Sequence, residues 1–150
     1  MTLKEYNKKR NFKETNEPEG KKKTAGKKIY VIQKHSASHL HYDLRLEFNG
    51  TLKSWAIPKI PPKTKGVKRL AVETENHPID YAKFHGIIPE GNYGAGKVEI
   101  WDNGTYELIE KDDKKIVVII HGKKLSGEYV LVKTHYGSKP EKSWLFFRTK

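Results

Sequence analysis

The chain has 150 residues, of which 35% are hydrophobic and 11% aromatic, which suffices for one domain with a core and argues against a disordered protein. Thirty Lys and Arg residues against 18 Asp and Glu residues give a net charge of +12, which favours an anionic partner such as nucleic acid. The absence of cysteine excludes disulfides and thiolate metal sites, and no apolar run is long enough to span a membrane.

Residues 1–28 are polar and rich in lysine, and we predict a basic N-terminal arm in which residues 3–9 can form a short helix. The segment Pro18-Glu19-Gly20 would end that helix, and the KKKTAGKK run after it is typical of a mobile tail. The first residues lack the apolar core of a signal peptide, so we expect a cytoplasmic protein without a membrane partner.

From Ile29 onward, short alternating runs of polar and apolar residues are separated by turn signals, which is typical of β-strands. Asn49-Gly50 and Asn103-Gly104 each predict a two-residue hairpin turn. No later segment has helical periodicity, so residues 29–150 are predicted to form one all-β domain, a sandwich or barrel. The predicted strands are Ile29–Lys34, His41–Phe48, Thr51–Ile57, Arg69–Thr74, Lys97–Trp101, Thr105–Glu110, Lys115–Ile120, Glu128–Thr134 and Ser143–Arg148.

The second predicted strand carries an unusual set of polar side chains. Because successive side chains of a strand point to opposite faces, its apolar residues form one face, which we assign to the core. The opposite face gathers an imidazole, two carboxylates and a guanidinium. The apolar face consists of Tyr42, Leu44, Leu46 and Phe48, and the polar face of His41, Asp43, Arg45 and Glu47.

The Asn49-Gly50 turn sets the neighbours of this polar face. A two-residue loop fixes the register so that Arg45 lies opposite Ser54 and Asp43 lies opposite Ala56. These small neighbours leave open space above both charged side chains. We therefore predict a rigid strand with a polar site on its outer face.

A metal ion is one interpretation of that site. His41 and Asp43 are same-face neighbours ~6–7 Å apart along the strand, a span that one ion can bridge. The third ligand can be His39, which periodicity favours, or His35, if the residues between them fold it inward. Imidazole and carboxylate ligands suit Mn²⁺ or Zn²⁺ better than Mg²⁺ or Ca²⁺. The competing interpretation is an ordinary solvated strand face that binds nothing.

Other polar positions are less specific. His77, predicted to lie beside a turn, can donate a hydrogen bond to phosphate or protonate a leaving group, although turn histidines are more often inert. Lys59 and Arg69 can add positive charge. The glycine-rich segment 91–96 is interpreted as a tight β-connection, because no helix follows it and the end of a phosphate-binding loop is missing.

Three segments together resemble the 3′-phosphoesterase domain of bacterial DNA ligase D and its stand-alone archaeal relatives, over about residues 6–150. They read VIQKHSASHLHYDLRLEFNGTLKSWAIPK, RLAVETENHPIDYAKFHGIIPEGNYGAGKVEIWDNGTYE and YVLVKT…SWLFFRTK. The resemblance implies a compact β-barrel with short peripheral helices. It also implies a Mn²⁺-dependent enzyme, with Zn²⁺ or Co²⁺ as alternatives, that removes a 3′-terminal ribonucleoside and then the 3′-phosphate to leave a 3′-hydroxyl.

The same resemblance assigns roles to residues. It implies that the metal ligands are His35, His41 and Asp43. It also implies that Arg10 and Glu17 of the arm serve the diester step, so that the arm contributes to the active site. The catalytic set that it implies is His35, His41, Asp43, Arg45, Glu75, His77, Tyr81, Arg10 and Glu17, and the substrate-binding set is Arg45, His77, Lys59, Arg69 and Gln33.

The sequence departs from the family pattern at Asn11, where an aspartate is common. We expect this change to affect ribonucleoside removal more than phosphate removal. The expected partners are DNA 3′ ends, together with a separately encoded DNA ligase and polymerase. Two other functions compete: a non-catalytic module that binds single strands or primer ends, and a small-molecule metalloenzyme, which the net charge of +12 disfavours.

Overall fold

The computed structural model describes Leu3, Tyr6 and residues 28–135 and 139–150, which form nine strands and two short 3₁₀ helices. Within these residues no helix has the length and apolar character needed to cross a lipid bilayer. The helices are Ile79–Lys83 and Pro140–Lys142. The strands are β1 (Ile29–Ser36), β2 (Leu40–Phe48), β3 (Thr51–Ile57), β4 (Lys68–Pro78), β5 (Gly86–Ile88), β6 (Gly96–Lys111), β7 (Lys115–Gly122), β8 (Ser126–Lys133) and β9 (Ser143–Arg148).

Eight of these strands close into an antiparallel barrel. Neighbours pair in the order β1-β2-β3-β4-β9-β8-β7-β6, and β6 pairs in turn with β1. β5 lies outside the ring and pairs only with β6 among the described strands. The predicted compact β-barrel with short peripheral helices is therefore confirmed. The predicted helix over residues 3–9 and most of the basic arm lie outside the described residues.

Two apolar clusters lie on the two sides of the barrel wall. The first fills the barrel and contains alternate residues of β2, including Tyr42, Leu44 and Leu46, as their spacing predicted. The second covers the outer side of β1 and β3. It combines residues of the arm, of the barrel strands β1, β3 and β6, of the first helix and the residue after it, and of β5. Its members are Tyr6, Val31, Leu52, Ile79, Tyr81, Ala82, Phe84, Ile88 and Val98.

This second layer corrects one expectation about the polar face of β2. The face does point away from the barrel core, but it is not an open surface. Asp43 is 6% exposed and Arg45 is 3% exposed. Buried charges are costly unless they are paired or hydrogen-bonded, so a set of this kind needs dedicated partners.

The first predicted hairpin is confirmed in its register. Asn49 (φ 51°) and Gly50 (φ 78°) both adopt left-handed conformations, as a two-residue hairpin turn of this type requires. Arg45 pairs with Ser54, and Asp43 pairs with Ala56. The small side chains of β3 thus lie beside the two charged groups.

The second predicted hairpin, at Asn103-Gly104, is wrong. β6 runs without interruption from Gly96 to Lys111, so two predicted strands are one strand of 16 residues. The glycine serves close packing: a Cβ on Gly104 would lie 2.1 Å from the carbonyl oxygen of His121 on β7. Asn-Gly therefore marks a site where two backbones approach closely.

A buried carboxylate beside this point ties β6 to the turn between β7 and β8. Asp102 accepts hydrogen bonds from Tyr30 Oη at 2.8 Å and from the backbone N–H groups of Lys123, Lys124 and Leu125 at 2.9 to 3.0 Å. Burial, together with this carboxylate, raises the pKa of Tyr30. The phenol therefore remains a hydrogen-bond donor across the physiological pH range.

We expect Asp102→Ala to lower the free energy of unfolding by about 3 to 5 kcal/mol, because it leaves several buried donors without an acceptor. Urea unfolding monitored by tryptophan fluorescence measures the loss. Asp112→Ala is the control, since Asp112 also accepts two backbone hydrogen bonds, from Lys114 and Lys115, but is exposed. Equal losses in the two variants would contradict this role for the buried carboxylate.

Candidate active site

A cavity of about 230 Å³ opens on the outer side of the barrel where the polar face of β2 meets β1, β4, the first 3₁₀ helix and the connection between β5 and β6. Ala37, Ala56 and Gly94 give it room, because none of them carries a large side chain. The side chains with chemical function that line it are His35, His41, Asp43, Arg45, Glu75, His77, Tyr81 and Tyr93.

Three of these side chains form a candidate metal site. Nδ1 of His35 lies 3.6 Å from Oδ2 of Asp43, and Nε2 of His41 lies 3.4 Å from the same oxygen. One ligand atom from each residue lies within 4.8 Å of the other two. β1 extends to Ser36, so His35 pairs directly with His41 across the two strands. Of the two histidines left open by the spacing, the structure brings His35 to this cluster.

Both imidazoles are oriented by backbone carbonyls. Nε2 of His35 lies 2.7 Å from the carbonyl oxygen of Gly94, and Nδ1 of His41 lies 3.0 Å from that of His39. A carbonyl can only accept, so each of these nitrogens carries the proton. The other nitrogen of each ring faces Oδ2 of Asp43, so the three residues direct their potential ligand atoms to one point. Metal-binding histidines are commonly held by such partners, and two imidazoles with one carboxylate fit a divalent transition metal.

The electrostatics of the cluster keep Asp43 ionised. Burial opposes the charged carboxylate, but the nearby Arg45 guanidinium and hydrogen bonds with His35 and His41 outweigh it and hold the pKa of Asp43 well below its usual range. Burial lowers the pKa of His41, whereas its contact with Asp43 raises it, and the net shift is upward. The carboxylate is therefore a ready ligand for a cation.

Arg45 is held in one orientation by its neighbours. Its Nε donates to Oε1 of Gln33 at 2.6 Å, and its Nη2 lies 3.5 Å from Oδ2 of Asp43. The Tyr81 ring lies beneath the guanidinium at 4.9 Å. Gln33 is itself fixed, because its amide donates to the carbonyl oxygens of Tyr81 and Phe84. Predicted as a substrate contact, Gln33 is fully buried and does not line the cavity. Its position is that of a support for Arg45.

His77 lies beside Arg45 and not in a turn, because β4 continues to Pro78. Its Nδ1 is 3.2 Å from Nη1 of Arg45, and its ring contacts the rings of Tyr6 and Tyr81 edge-on at 5.0 and 4.7 Å. Nε2 of His77 lies 4.0 Å from Oε1 of Glu75. The positions of His77, Tyr81 and Glu75, which the resemblance implied, thus converge in the same cavity.

Two residues of the glycine-rich connection also belong to the site. Gly94 supplies the carbonyl for His35, and Tyr93 lines the cavity with its hydroxyl 3.4 Å from Oε2 of Glu75. The sequence showed only a tight connection here. A tyrosine between glycines was the available signal, but the fold was needed to place it.

Two other predicted residues, Lys59 and Arg69, are described by the structure but lie elsewhere. Lys59 lies in the segment between β3 and β4, and Arg69 lies at the start of β4 with its Nε donating to the carbonyl oxygen of Ile60. Neither lines the cavity. Arg10 and Glu17 lie outside the described residues.

Comparison with known proteins shows extensive similarity. The chain is 45% identical over 99% of its length to the multifunctional non-homologous end joining protein LigD of Pseudomonas aeruginosa. It is 46% identical over 97% of its length to the protein of the same name from Mycolicibacterium smegmatis, and 44% identical over 99% of its length to the non-homologous end joining DNA repair protein LigD of Mycobacterium tuberculosis. The chain covers 18 to 20% of the length of these relatives.

The sequence profile of the DNA ligase D 3′-phosphoesterase domain matches residues 33–133, which include all three residues of the candidate metal site and most of the barrel. The match agrees with the resemblance noted in the sequence and with the polar cavity of the structure. The chain belongs to the DNA ligase D 3′-phosphoesterase domain family.

Proposed function

We propose that the chain is a metal-dependent phosphoesterase that processes DNA 3′ ends during non-homologous end joining. It removes a 3′-terminal ribonucleoside and then hydrolyses the 3′-phosphate to a 3′-hydroxyl. The observation that carries the proposal is that the donor set His35, His41 and Asp43 shares one cavity with Arg45 and His77. Membership of the family and the names of the relatives support this reaction class.

Mn²⁺ is the proposed metal, with Zn²⁺ and Co²⁺ as alternatives, and His35, His41 and Asp43 are its proposed ligands. A divalent ion bound there would offset charge on the phosphate and polarise the bond that breaks. The protein contributes oriented ligands: a backbone carbonyl holds one nitrogen of each imidazole, and the other nitrogen faces Asp43. Little reorganisation is then needed when the ion enters.

Arg45 is the proposed phosphate clamp. A guanidinium forms two parallel hydrogen bonds to phosphate oxygens, and in a buried site these are stronger than in water. Gln33 and the Tyr81 ring fix the plane of the guanidinium. The substrate therefore meets a donor that is already oriented, which favours the transition state in phosphoryl transfer.

His77 is the proposed proton donor to the leaving oxygen. Nδ1 of His77 lies 3.0 Å from the backbone carbonyl oxygen of Glu75, which can only accept, so Nδ1 carries a proton and the transferable proton is the one that Nε2 holds in the doubly protonated ring. That nitrogen faces Glu75, which can stabilise the protonated ring. For the diester step we also propose roles for Arg10 and Glu17, with Asn11 in place of the common aspartate limiting this step.

The product supplies what other repair enzymes require. A 3′-hydroxyl is the group that a DNA ligase or polymerase uses, so we propose a separately encoded ligase and polymerase as functional partners. DNA 3′ ends are the proposed substrates, and the net charge of +12 favours them over small uncharged molecules.

The test uses primer–templates that end in a 3′-phosphate or in one 3′-ribonucleotide, incubated with Mn²⁺ or with EDTA. We expect Mn²⁺-dependent formation of a 3′-hydroxyl. In His41→Ala we expect the rate to fall by roughly 10³-fold, because a donor of the metal site is lost. His39→Ala is the matched control, since the His39 side chain is exposed and only its carbonyl contacts the cluster.

Two outcomes separate the alternatives. If only the 3′-phosphate substrate is converted, the chain has the phosphatase activity but not the activity that removes a ribonucleoside. This result is expected if Asn11 limits the diester step. Tight DNA binding without product under any of the three metals would overturn the catalytic proposal and leave a non-catalytic end-binding module.

A further inference from the structure

Two lysines from distant parts of the chain lie over one tryptophan at the end of the barrel. Nζ of Lys124 is 4.6 Å from the centre of the Trp101 ring, and Nζ of Lys63 is 5.9 Å from it. The Trp101 ring packs against the barrel core, where the Tyr42 ring contacts it at 5.6 Å in a T-shaped arrangement. These contacts fix the position of the indole. An aromatic face attracts cations, so the ring stabilises both ammonium groups beside it.

The backbones that carry these lysines are also fixed. The carbonyl oxygen of Lys63 accepts a hydrogen bond from Nη1 of Arg148 at 2.8 Å, and the preceding carbonyl, of Pro62, accepts one from Tyr129 Oη at 2.8 Å. The N–H of Lys124 donates to the buried Asp102. Two segments that usually would be mobile connections are therefore ordered before any ligand binds.

No carboxylate neutralises this pair within the described part of the chain. The ion pairs found there use other lysines, Lys53 with Glu73 and Lys97 with Glu99. The segment between β3 and β4 contains no acidic residue, and neither does the turn between β7 and β8. Two exposed ammonium groups that contact one ring and have no carboxylate partner provide a candidate anion site.

The position of Trp101 relates this anion site to the cavity. Trp101 lies three residues along β6 from Val98, which pairs with His35. At a rise of about 3.3 Å per residue, this separates the two positions by roughly 10 Å along the strand. Trp101 packs against the barrel core whereas the cavity opens on the outer side, so this distance is the shortest separation of the two sites. One strand of DNA advances by about 3.4 Å per nucleotide, so the two sites are about three or more nucleotides apart.

We propose that Lys63 and Lys124 clamp a backbone phosphate of the DNA strand whose 3′ end occupies the cavity, about three or more nucleotides from that end. The inference rests on the proposed function for the identity of the strand. Trp101 positions both ammonium groups, and the clamp recognises phosphate and not base, so binding here is independent of sequence.

The test compares Lys63→Gln/Lys124→Gln with Lys114→Gln/Lys115→Gln, which removes the same charge from the exposed turn at the opposite end of the barrel. A 3′-phosphorylated primer–template is bound in EDTA at several salt concentrations. The clamp variant should bind about tenfold more weakly, and the slope of its salt dependence should fall in magnitude by about 0.9, equivalent to one phosphate contact. The control variant should match the wild type.

Kinetics with Mn²⁺ give a second readout. In the clamp variant KM for the long primer–template should rise about tenfold with kcat unchanged, whereas a 3′-phosphorylated dinucleotide, too short to reach the clamp, should show no change. Unchanged salt dependence in the clamp variant, or an equal loss in the control, would overturn the clamp. Because binding is measured in EDTA, a protein without phosphoesterase activity would defeat the proposed function while leaving the clamp testable.

Discussion

Asp43→Asn is expected to abolish Mn²⁺ binding and to lower kcat/KM for 3′-phosphate removal by roughly 10³-fold. The amide has the same shape as the carboxylate but no charge. His35, His41 and Arg45 all lie next to Asp43, and Asp43 is the only anion among these four groups. Isothermal titration with Mn²⁺ and a rate assay on the same preparation measure the two losses.

The control for this variant is the exposed Asp112→Asn, which should retain metal binding and activity. Circular dichroism should show that Asp43→Asn keeps its β-structure, because the barrel core lies on the other face of β2. Undiminished Mn²⁺ affinity in Asp43→Asn would contradict the assignment of the metal site.

Arg45→Lys is expected to lower kcat by about 10² to 10³-fold although the positive charge is retained. Lysine cannot form two parallel hydrogen bonds to a phosphate, and it cannot reproduce the contacts of the guanidinium with Gln33 and the Tyr81 ring. Steady-state kinetics on the 3′-phosphorylated primer–template separate kcat from KM.

Gln33→Ala provides the comparison, because it leaves Arg45 in place but removes the acceptor of its Nε–H. We expect an intermediate loss of about 10 to 100-fold, typical of groups that orient a catalytic side chain. An Arg45→Lys enzyme with activity close to the wild type would show that positive charge alone suffices and that the two parallel hydrogen bonds of the guanidinium are not required.

The features that could be predicted from the sequence are those set by local rules. The turn at Asn49-Gly50 fixed the pairing of Asp43 with Ala56, because a two-residue loop allows one register. Alternation along β2 identified which residues fill the barrel. The residues on the polar face of β2, and their neighbours on β3, could therefore be predicted from one hairpin.

The features that could not be predicted depend on distant parts of the chain. Gly104 lies in a continuous strand because the backbone of β7 passes close to it, and no local signal distinguishes this from a turn. The polar face of β2 is buried because Tyr6, the first 3₁₀ helix and β5 cover the outer wall. Periodicity favoured His39 as third ligand, but β1 extends far enough to place His35 opposite His41.

Barrel closure has a consequence for the order in which the protein folds. β1 pairs with β6, which joins residues 61 to 76 positions apart, from the pair Ser36 and Lys97 to the pair Ile29 and Thr105. Such long-range pairing is slow, because the chain must lose loop entropy before these contacts form. The three proposed metal ligands lie on the single hairpin of β1 and β2, but the carbonyl of Gly94 that orients His35 is brought in by the segment just before β6. During refolding, ligand atoms can therefore come together early, whereas the oriented site that catalysis requires is complete only when the ring closes.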